Sequence, residues 1–332
     1  MGKNKETKKD LKKKEKEAEQ YMVKNGGMVL EELICTGNGR YNPIRNFSAK
    51  QILEATNNFH SPCFTSQDYW FRASLNNRAV LIRKCDGPGQ EACRDIAISS
   101  QMSSHSRVLK LLGCCLEFPA PVVVYEDAEN GPLNRDGGIN INGSSIPLPW
   151  KTRLRIAKDT ANALTYLHSA FSRPIIHLNI KPSKVLLDKD FVPKLWDFSC
   201  SVSIPEGKTC VGVSSLLGTF GFIDPHYMTT FSVTERTDVY SFGVFLLVLL
   251  TGRPAVHYDS GHQMVHLVAE KPWNEIVDSK ILEEGVTTEK QQKLQDFLNL
   301  ALKCTQPRLE DRPMMIDVAK ELVRIHSSTP TP

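Results

Sequence analysis

The sequence predicts an α+β fold with two lobes, a small β-rich lobe followed by a larger α-helical lobe. Strand patterns come first: Tyr69–Arg83 divides into two strands at Asn76–Asn77, and Val122–Tyr125 is a buried apolar run. From Trp150 onward helical spacing dominates, as in Arg153–His168. Mixed strands followed by helices are typical of this fold class. The length of 332 residues suits one two-lobed domain or two small domains, and the 41% hydrophobic content is that of a globular protein.

The chain begins with a basic arm, residues 1–24, in which lysines outnumber the interspersed glutamates and are densest at Lys8–Lys14. Two interpretations remain open. The arm is either a solvated helix or disordered segment, or a segment attracted to anionic lipid headgroups. In the second case Gly2 is a candidate myristoylation site. The motif is imperfect, because Glu6 stands where a Ser or Thr is usual and Thr7 follows one place later. The net charge of +4 does not indicate nucleic-acid binding, and none is expected.

Residues 25–46 form an N-terminal extension that contains an apolar helix, with Leu30, Leu33 and Ile34 predicted on one face. That face must be buried either on the chain's own lobe or on another protein. We favour a partner, because the charged arm needs no anchor and apolar helix faces often dock into grooves. The predicted partner-binding residues of this helix are Met28, Val29, Leu30, Leu33 and Ile34.

Residues 47–326 are predicted to hold both lobes, the first over about 47–124 and the second over about 128–326, with a tail at 327–332. In the first lobe, Phe47–Phe59 is predicted as an amphipathic helix capped by Ser48, and Cys93–Met102 as another helix. In the second, Val239–Leu250 is the most apolar stretch of the chain. It is too short to span a bilayer, so it indicates a buried helix.

The nine cysteines show no metal-ligand spacing, and their number is odd. Free thiols in a reducing cytosol are the favoured interpretation, with a redox switch as the alternative. The predicted location is therefore cytoplasmic, at the inner face of the plasma membrane if the basic arm binds lipid.

Four segments, taken together and in order, resemble the signature motifs of protein kinases of the plant receptor-like group. They are Phe47–Phe59, Leu111–Glu117, His177–Asp188, and Gly218–Pro225 running into Thr237–Gly243. Three further features are similar to the ZRK family of plant receptor-like cytoplasmic pseudokinases: Asn25–Gly26 before an apolar helix, the entry Pro43–Phe47, and the loop Ile204–Lys208.

By this resemblance the nucleotide site is degenerate in its first half. No glycine occurs between Gly39 and Gly87, so the phosphate-cradling loop is replaced by Thr65–Phe71, which carries bulky aromatics. The clamp lysine aligns with Arg83, with Lys84 beside it, and the helix glutamate aligns with the shorter Asp95. An Arg83–Asp95 pair is expected to hold the helix structurally. Tyr125 and Asp127 belong to the same degenerate site.

The residues that carry out phosphoryl transfer are predicted to be lost as well. Where a base aspartate is needed, the sequence has Asn179, and Leu178 replaces the arginine that would meet an activation-loop phosphate. The second magnesium ligand is replaced by Lys184, a cation, which we expect to contact the surviving Asp197 in place of a metal. Lys181 is retained, but without an acidic residue at position 179 there is no phosphoryl transfer for it to assist.

Two anchors of the kinase scaffold are expected to persist. Asp238 resembles the residue that holds the catalytic-loop backbone, and His177 is interpreted as a core histidine. Arg312 resembles the arginine that pairs with a glutamate after Asp-Pro; here that position is His226, so an altered pair is predicted.

These losses predict a catalytically inactive adaptor with no cofactor, although weak ATP binding stays open. The alternatives are a weakly active atypical Ser/Thr kinase that uses Asp197 alone, and a membrane-tethered module that works through its basic arm. The ZRK resemblance implies a coiled-coil NLR immune receptor, contacted through its leucine-rich repeats, and either a bacterial effector or an effector-modified kinase as partners. The activation-segment stretch Ser203–Leu217, with Lys208 and Thr209, is the predicted surface for the second protein.

Overall fold

A computed structural model describes residues 8–37, 44–65, 69–87, 89–141, 143–256, 264–268 and 271–327. It divides the chain into two compact units. The first unit holds the described residues up to Ser104 together with Leu109–Asp127, and the second holds His105–Val108 and the described residues from Ala128 onward. Gly2, Glu6 and Pro43, which the sequence analysis singled out, lie outside the described residues.

The structure has a β-sheet unit followed by a helical unit, which confirms the predicted α+β class. The helices are α1 Lys8–Gly37, α2 Ala49–Ala55, α3 Gly89–Met102, α4 Trp150–Ser169, α5 Pro225–Thr230, α6 Glu235–Thr251, α7 Met264–Val268, α8 Trp273–Ile276, α9 Ser279–Glu283, α10 Thr288–Cys304 and α11 Met315–Ser327. The strands are β1 Arg45–Asn46, β2 Phe64–Thr65, β3 Tyr69–Leu75, β4 Arg78–Lys84, β5 Leu111–Cys115, β6 Val122–Glu126, β7 Gly131–Pro132, β8 Ile139–Ile141, β9 Ser144–Ile146, β10 Ile175–Ile176, β11 Val185–Leu187, β12 Pro193–Leu195, β13 Val202–Ser203, β14 Val211–Gly212 and β15 Ser232–Val233.

The first unit is built on a six-stranded sheet in the order β1-β5-β6-β4-β3-β2. The predicted hairpin is confirmed: β3 pairs antiparallel with β4, and Asn76 and Asn77 turn the chain with φ of 51° and 60°. At the other edge, β1 approaches Gly113 so closely that a Cβ there would meet the Arg45 carbonyl and lie 2.6 Å from the Phe47 ring. A glycine at 113 therefore lets Phe47 enter the core of this unit.

Helix α2 is shorter than predicted. Ser48 caps it as expected, and Gln51 completes a capping box. The helix ends at Ala55 rather than continuing to Phe59, because Asn57, Asn58 and Phe59 all adopt positive φ values.

The long helix α1 runs without a break from Lys8 to Gly37, so the basic arm and the apolar extension are parts of one helix. It corrects one prediction, because the apolar residues do not share one environment: Val29 and Leu33 are buried, whereas Leu30 and Ile34 are 54% and 58% exposed. The prediction that all five apolar residues face a partner is therefore wrong for Val29 and Leu33, since α1 packs along α3 of its own unit.

Polar contacts fasten α1 in this position. The buried Asn25 side chain donates to the carbonyls of Leu116 and Phe118, each at 2.9 Å. Glu32 forms an ion pair with Arg94 of α3 at 3.4 Å, and Met28 lies beside Gly89, where α3 begins. By contrast, none of residues 9–10 and 12–24, whose side chains the structure describes, is buried, which agrees with a solvated helix.

The second unit is centred on α6, whose residues from Thr237 to Thr251 are all buried. Gly243 permits this packing, because a Cβ there would lie 2.7 Å from side-chain atoms of Cys304 and Thr305. The Arg153 guanidinium of α4 donates to the Leu249 carbonyl and pairs with Asp278 at 2.5 Å, which ties α4 to the end of α6. None of the described helices combines the length and the apolar character needed to cross a bilayer.

Candidate functional site: the degenerate kinase motifs

In the first unit, Asp95 of α3 is the centre of a closed hydrogen-bond network. Arg83 of β4 donates to its Oδ2 at 2.8 Å, the Tyr125 hydroxyl donates to the same oxygen at 2.6 Å, and Ser99 donates to Oδ1 at 3.1 Å. All these residues are buried, and burial together with the Asp95 charge raises the pKa of Tyr125 well above its usual value. The expected Arg83–Asp95 pair is confirmed, and the guanidinium is engaged within the protein.

The two neighbouring candidates are directed elsewhere. The Lys84 ammonium lies over the rings of Phe59 and Tyr69, at 5.1 and 5.9 Å from their centroids. Asp127 pairs with Arg72 at 3.0 Å. Of the stretch that replaces the glycine loop, residues 66–68 lie outside the described residues, whereas Trp70 is clearly placed: it is only 2% exposed, and its ring centroid lies 5.8 Å from that of Tyr125.

In the second unit, the backbone of the catalytic-loop motif is held by Asp238, as predicted. Its Oδ2 accepts from the His177 N–H at 2.7 Å, and its Oδ1 accepts from the Leu178 N–H at 2.9 Å. His177 is completely buried, and desolvation lowers its pKa, which confirms a core histidine. Leu178 adopts φ of 63°, a strained value for a branched residue that these two hydrogen bonds help to maintain.

Asn179 stands at the position of the catalytic base and is nearly buried. Its Oδ1 accepts a hydrogen bond from the Thr219 hydroxyl at 2.7 Å. A neutral carboxamide cannot take a proton from a substrate hydroxyl, so this position links two loops without providing a base. Lys181, two residues on, is half-buried and extended at the start of a short 3-10 turn.

The metal position is filled by a cation of the chain itself. The Lys184 ammonium lies 2.5 Å from Oδ2 of Asp197, which confirms the predicted contact. It also lies 4.4 Å from the centroid of the Trp196 ring, and the Trp196 indole donates to the Ser183 carbonyl at 3.0 Å. Lys184 and Asp197 are 7% and 2% exposed. A magnesium ion does not fit these residues, because the ammonium is already placed against the carboxylate and repels a second cation.

Arg312 forms a different pair from the one expected at position 226. Its two terminal nitrogens donate to the two carboxylate oxygens of Asp224, each at 2.8 Å, and both side chains are fully buried. Asp224 also caps α5 by accepting from the His226 N–H. The ion pair is thus retained, with the acid two residues earlier in the chain.

Apolar contacts hold the activation segment near Leu178, the residue that replaces the arginine of active kinases. Leu178 packs in a buried cluster with Ile176, Ile204, Tyr227 and Val233, against which Val211 and Leu217 are partly buried. Strand β14 pairs with β15, and the Leu217 N–H donates to the Tyr227 hydroxyl. Lys208 and Thr209, on the same segment, are exposed.

Three residues with clear roles in these motifs were not predicted. Thr219 binds Asn179, Asp224 binds Arg312, and Trp70 packs on Tyr125. Asp224 had a usable signal, since an aspartate directly before a proline often caps a helix. Thr219 and Trp70 had none, because their contacts join segments that are distant in sequence.

Comparison with known proteins agrees with these motifs. The family model described as protein kinase domain matches residues 78–323. The chain is 46% identical to the "Serine/threonine-protein kinase ZRK1" of Arabidopsis thaliana, over 95% of each chain. It is 44% identical to the "Non-functional pseudokinase ZED1" of the same plant, over 94% of this chain and 98% of that one, and 42% identical to the "Non-functional pseudokinase ZRK2", over 98% and 94%.

Proposed function

We propose, since the chain belongs to the protein kinase family and within it to the ZRK family, that it is a catalytically inactive adaptor in plant immune signalling. The names of its relatives divide between kinase and pseudokinase, so the residues of this chain must support the choice. The observation that supports it best is the Lys184 ammonium on Asp197, since it occupies the place of the metal that phosphoryl transfer requires.

The second candidate is a weakly active Ser/Thr kinase. It is favoured by the retained Asp197 and by the name of one relative. The two candidates differ in a direct measurement: an adaptor transfers no phosphate from ATP and magnesium to itself or to a general substrate protein, and a weak kinase does.

We expect Asn179→Asp to remain inactive. The variant should fold, because an aspartate still accepts the Thr219 hydrogen bond that Asn179 accepts. It regains a base, which is worth about 10²–10⁴-fold in rate in a working site, but Lys184 still excludes the metal. The measurement is transfer of labelled phosphate by purified wild type and variant. Turnover by this single variant would refute the proposal that several independent parts are missing.

The adaptor function needs a partner surface, and α1 offers one. On its face away from α3, Val23, Leu30 and Ile34 are all more than half exposed, at spacings of seven and four residues that place them along one side. Gly27 lies on the same side, with open space around it. We propose that this stripe, and not the buried Val29 and Leu33, docks on the leucine-rich repeats of a coiled-coil NLR receptor.

The exposed and buried positions allow a sharp test of this surface. We expect Leu30→Glu and Ile34→Glu to weaken receptor binding by roughly 30-fold or more, the effect of losing about 2 kcal/mol at an apolar hot spot. Both variants should keep the wild-type melting temperature, because both side chains face solvent. The measurement is a titration of purified receptor, with melting curves alongside.

Two further variants serve as controls for that test. Val323→Glu makes the same kind of change on an exposed residue of α11 and should bind normally. Leu33→Glu places a charge in a buried position and should lower the melting temperature. Full binding by folded Leu30→Glu and Ile34→Glu would exclude the stripe as the docking surface.

The activation segment is the proposed surface for a second protein, either an effector-modified kinase or a bacterial effector. Its support is that Lys208 and Thr209 are exposed on a segment that apolar packing around Leu178 keeps in place. Leu216, on the same segment, and Phe220, just after it, are exposed as well. In this proposal no cofactor is needed, and the chain is cytoplasmic, with the basic arm available to a membrane surface.

A further inference from the structure

The structure assigns to Trp70 the role of an internal plug: its indole fills, from within the chain, the space on the Arg83 side of the sheet that a nucleotide base would need. The indole and the residues around it belong to the first unit, and this role of Trp70 is independent of the proposed adaptor function.

The strand register fixes the position of the indole. Trp70 is paired with Arg83 across β3 and β4, and Arg83 is paired with Val123 across β4 and β6. Side chains directly opposite each other on neighbouring strands lie on the same face of a sheet. Trp70 is therefore on the face that carries Arg83, the residue aligned with the phosphate-binding lysine of active kinases.

Around the indole this face is filled, whereas Arg72, Ser74 and Ala79, farther along the same face, are exposed. Leu81 and Tyr125, which are also paired across β4 and β6, are fully buried, and Trp70 is 2% exposed. The indole tilts by 40° against the Tyr125 ring, whose hydroxyl is bound to Asp95. The Tyr125 ring is thus held in place through its hydroxyl. A flat ligand of similar size could contact this ring only by replacing the Trp70 indole.

The chemistry of the space follows from the indole itself. An indole and a purine are both flat bicyclic aromatic rings, and a space that one fills suits the other in shape. Removal of a large core side chain leaves a cavity that binds aromatic molecules when the surrounding walls do not collapse. We therefore expect the wild-type chain not to bind adenosine, and a variant without the indole to bind both indole and adenosine.

The test measures melting temperatures of wild type, Trp70→Val and Trp70→Leu with and without indole, adenosine or ATP. Without ligand, Trp70→Val should melt on the order of 10 °C lower than wild type, and Trp70→Leu should lose less. Indole and adenosine should restore several degrees to both variants and nothing to wild type, because only a site that is open gains from mass action.

Trp150→Val is the matched control. Trp150 is also a buried tryptophan, packed edge-on against Phe297 in the second unit. Adenosine should not restore its stability. Stabilisation of wild type by adenosine or ATP would overturn the inference, since the space would then be open with Trp70 present. A folded Trp70→Leu that neither indole nor adenosine stabilises would also overturn the inference. If Trp70→Val does not fold, the comparison of Trp70→Leu with wild type still tests it.

Discussion

Replacing Lys184 by methionine should lower the free energy of unfolding by about 3–5 kcal/mol, the typical cost of removing one partner from a buried ion pair. The ammonium lies 2.5 Å from the Asp197 carboxylate, and both groups are almost completely buried. Methionine fills much of the same space but leaves the buried carboxylate without this cation. Urea unfolding of both proteins measures the difference.

Two comparisons separate the charge effect from packing. Lys293→Met removes a lysine from an ion pair of similar length, 2.7 Å, whose Glu289 partner is exposed, and should cost about 0–1 kcal/mol. Adding Asp197→Asn to Lys184→Met should recover most of the loss, since asparagine tolerates the φ of 68° at this position. A loss below about 1 kcal/mol for Lys184→Met would contradict a buried pair of this strength.

The same site should gain a metal when the cation is exchanged for a ligand. In Lys184→Asn, a carboxamide oxygen joins the Asp197 carboxylate, and oxygen ligands of this kind suit Mg²⁺. Millimolar Mg²⁺ should then raise the melting temperature of the variant and leave that of wild type unchanged. An equal response from both proteins would mean that Lys184 does not take the place of the metal.

The contact between Lys184 and Asp197 was predictable from sequence because the kinase motifs fix both positions relative to one framework. The same is true of Arg83 and Asp95. In each case the residue differs from the one in the kinase motif, but the strand or helix that carries it keeps its place. The partner of each residue could therefore be inferred from its position in the motif.

The face of α1 that packs on its own unit was not predictable in this way. Leu30, Leu33 and Ile34 are all apolar, and helical spacing alone does not say which side faces α3. The deciding contacts come from residues distant in sequence: Asn25 binds carbonyls that follow β5, and Glu32 binds Arg94. A buried asparagine before two glycines carries no such information in the sequence.

The pairing of Arg312 shows how a framework can mislead by a small shift. The motif placed the acidic partner at residue 226, and histidine there suggested an altered pair. The structure shows that the guanidinium binds Asp224 through two parallel hydrogen bonds and also donates to the Gln306 carbonyl at 2.7 Å. A bidentate pair forms with whichever carboxylate lies close enough to the guanidinium. The distance from each candidate carboxylate to Arg312 cannot be read from a sequence alignment.

Arg312→Met should therefore destabilise the second unit by about 3–5 kcal/mol, because it leaves the fully buried Asp224 carboxylate with the His226 N–H but without its cation. The measurement is urea unfolding followed by tryptophan fluorescence. His226→Glu is the deciding companion: if residue 226 were the natural partner of Arg312, a glutamate there would raise the free energy of unfolding. We expect no such gain, since both terminal nitrogens of Arg312 already donate to Asp224. A clear gain from His226→Glu, or a loss below about 1 kcal/mol for Arg312→Met, would contradict a stabilising pair between Arg312 and Asp224.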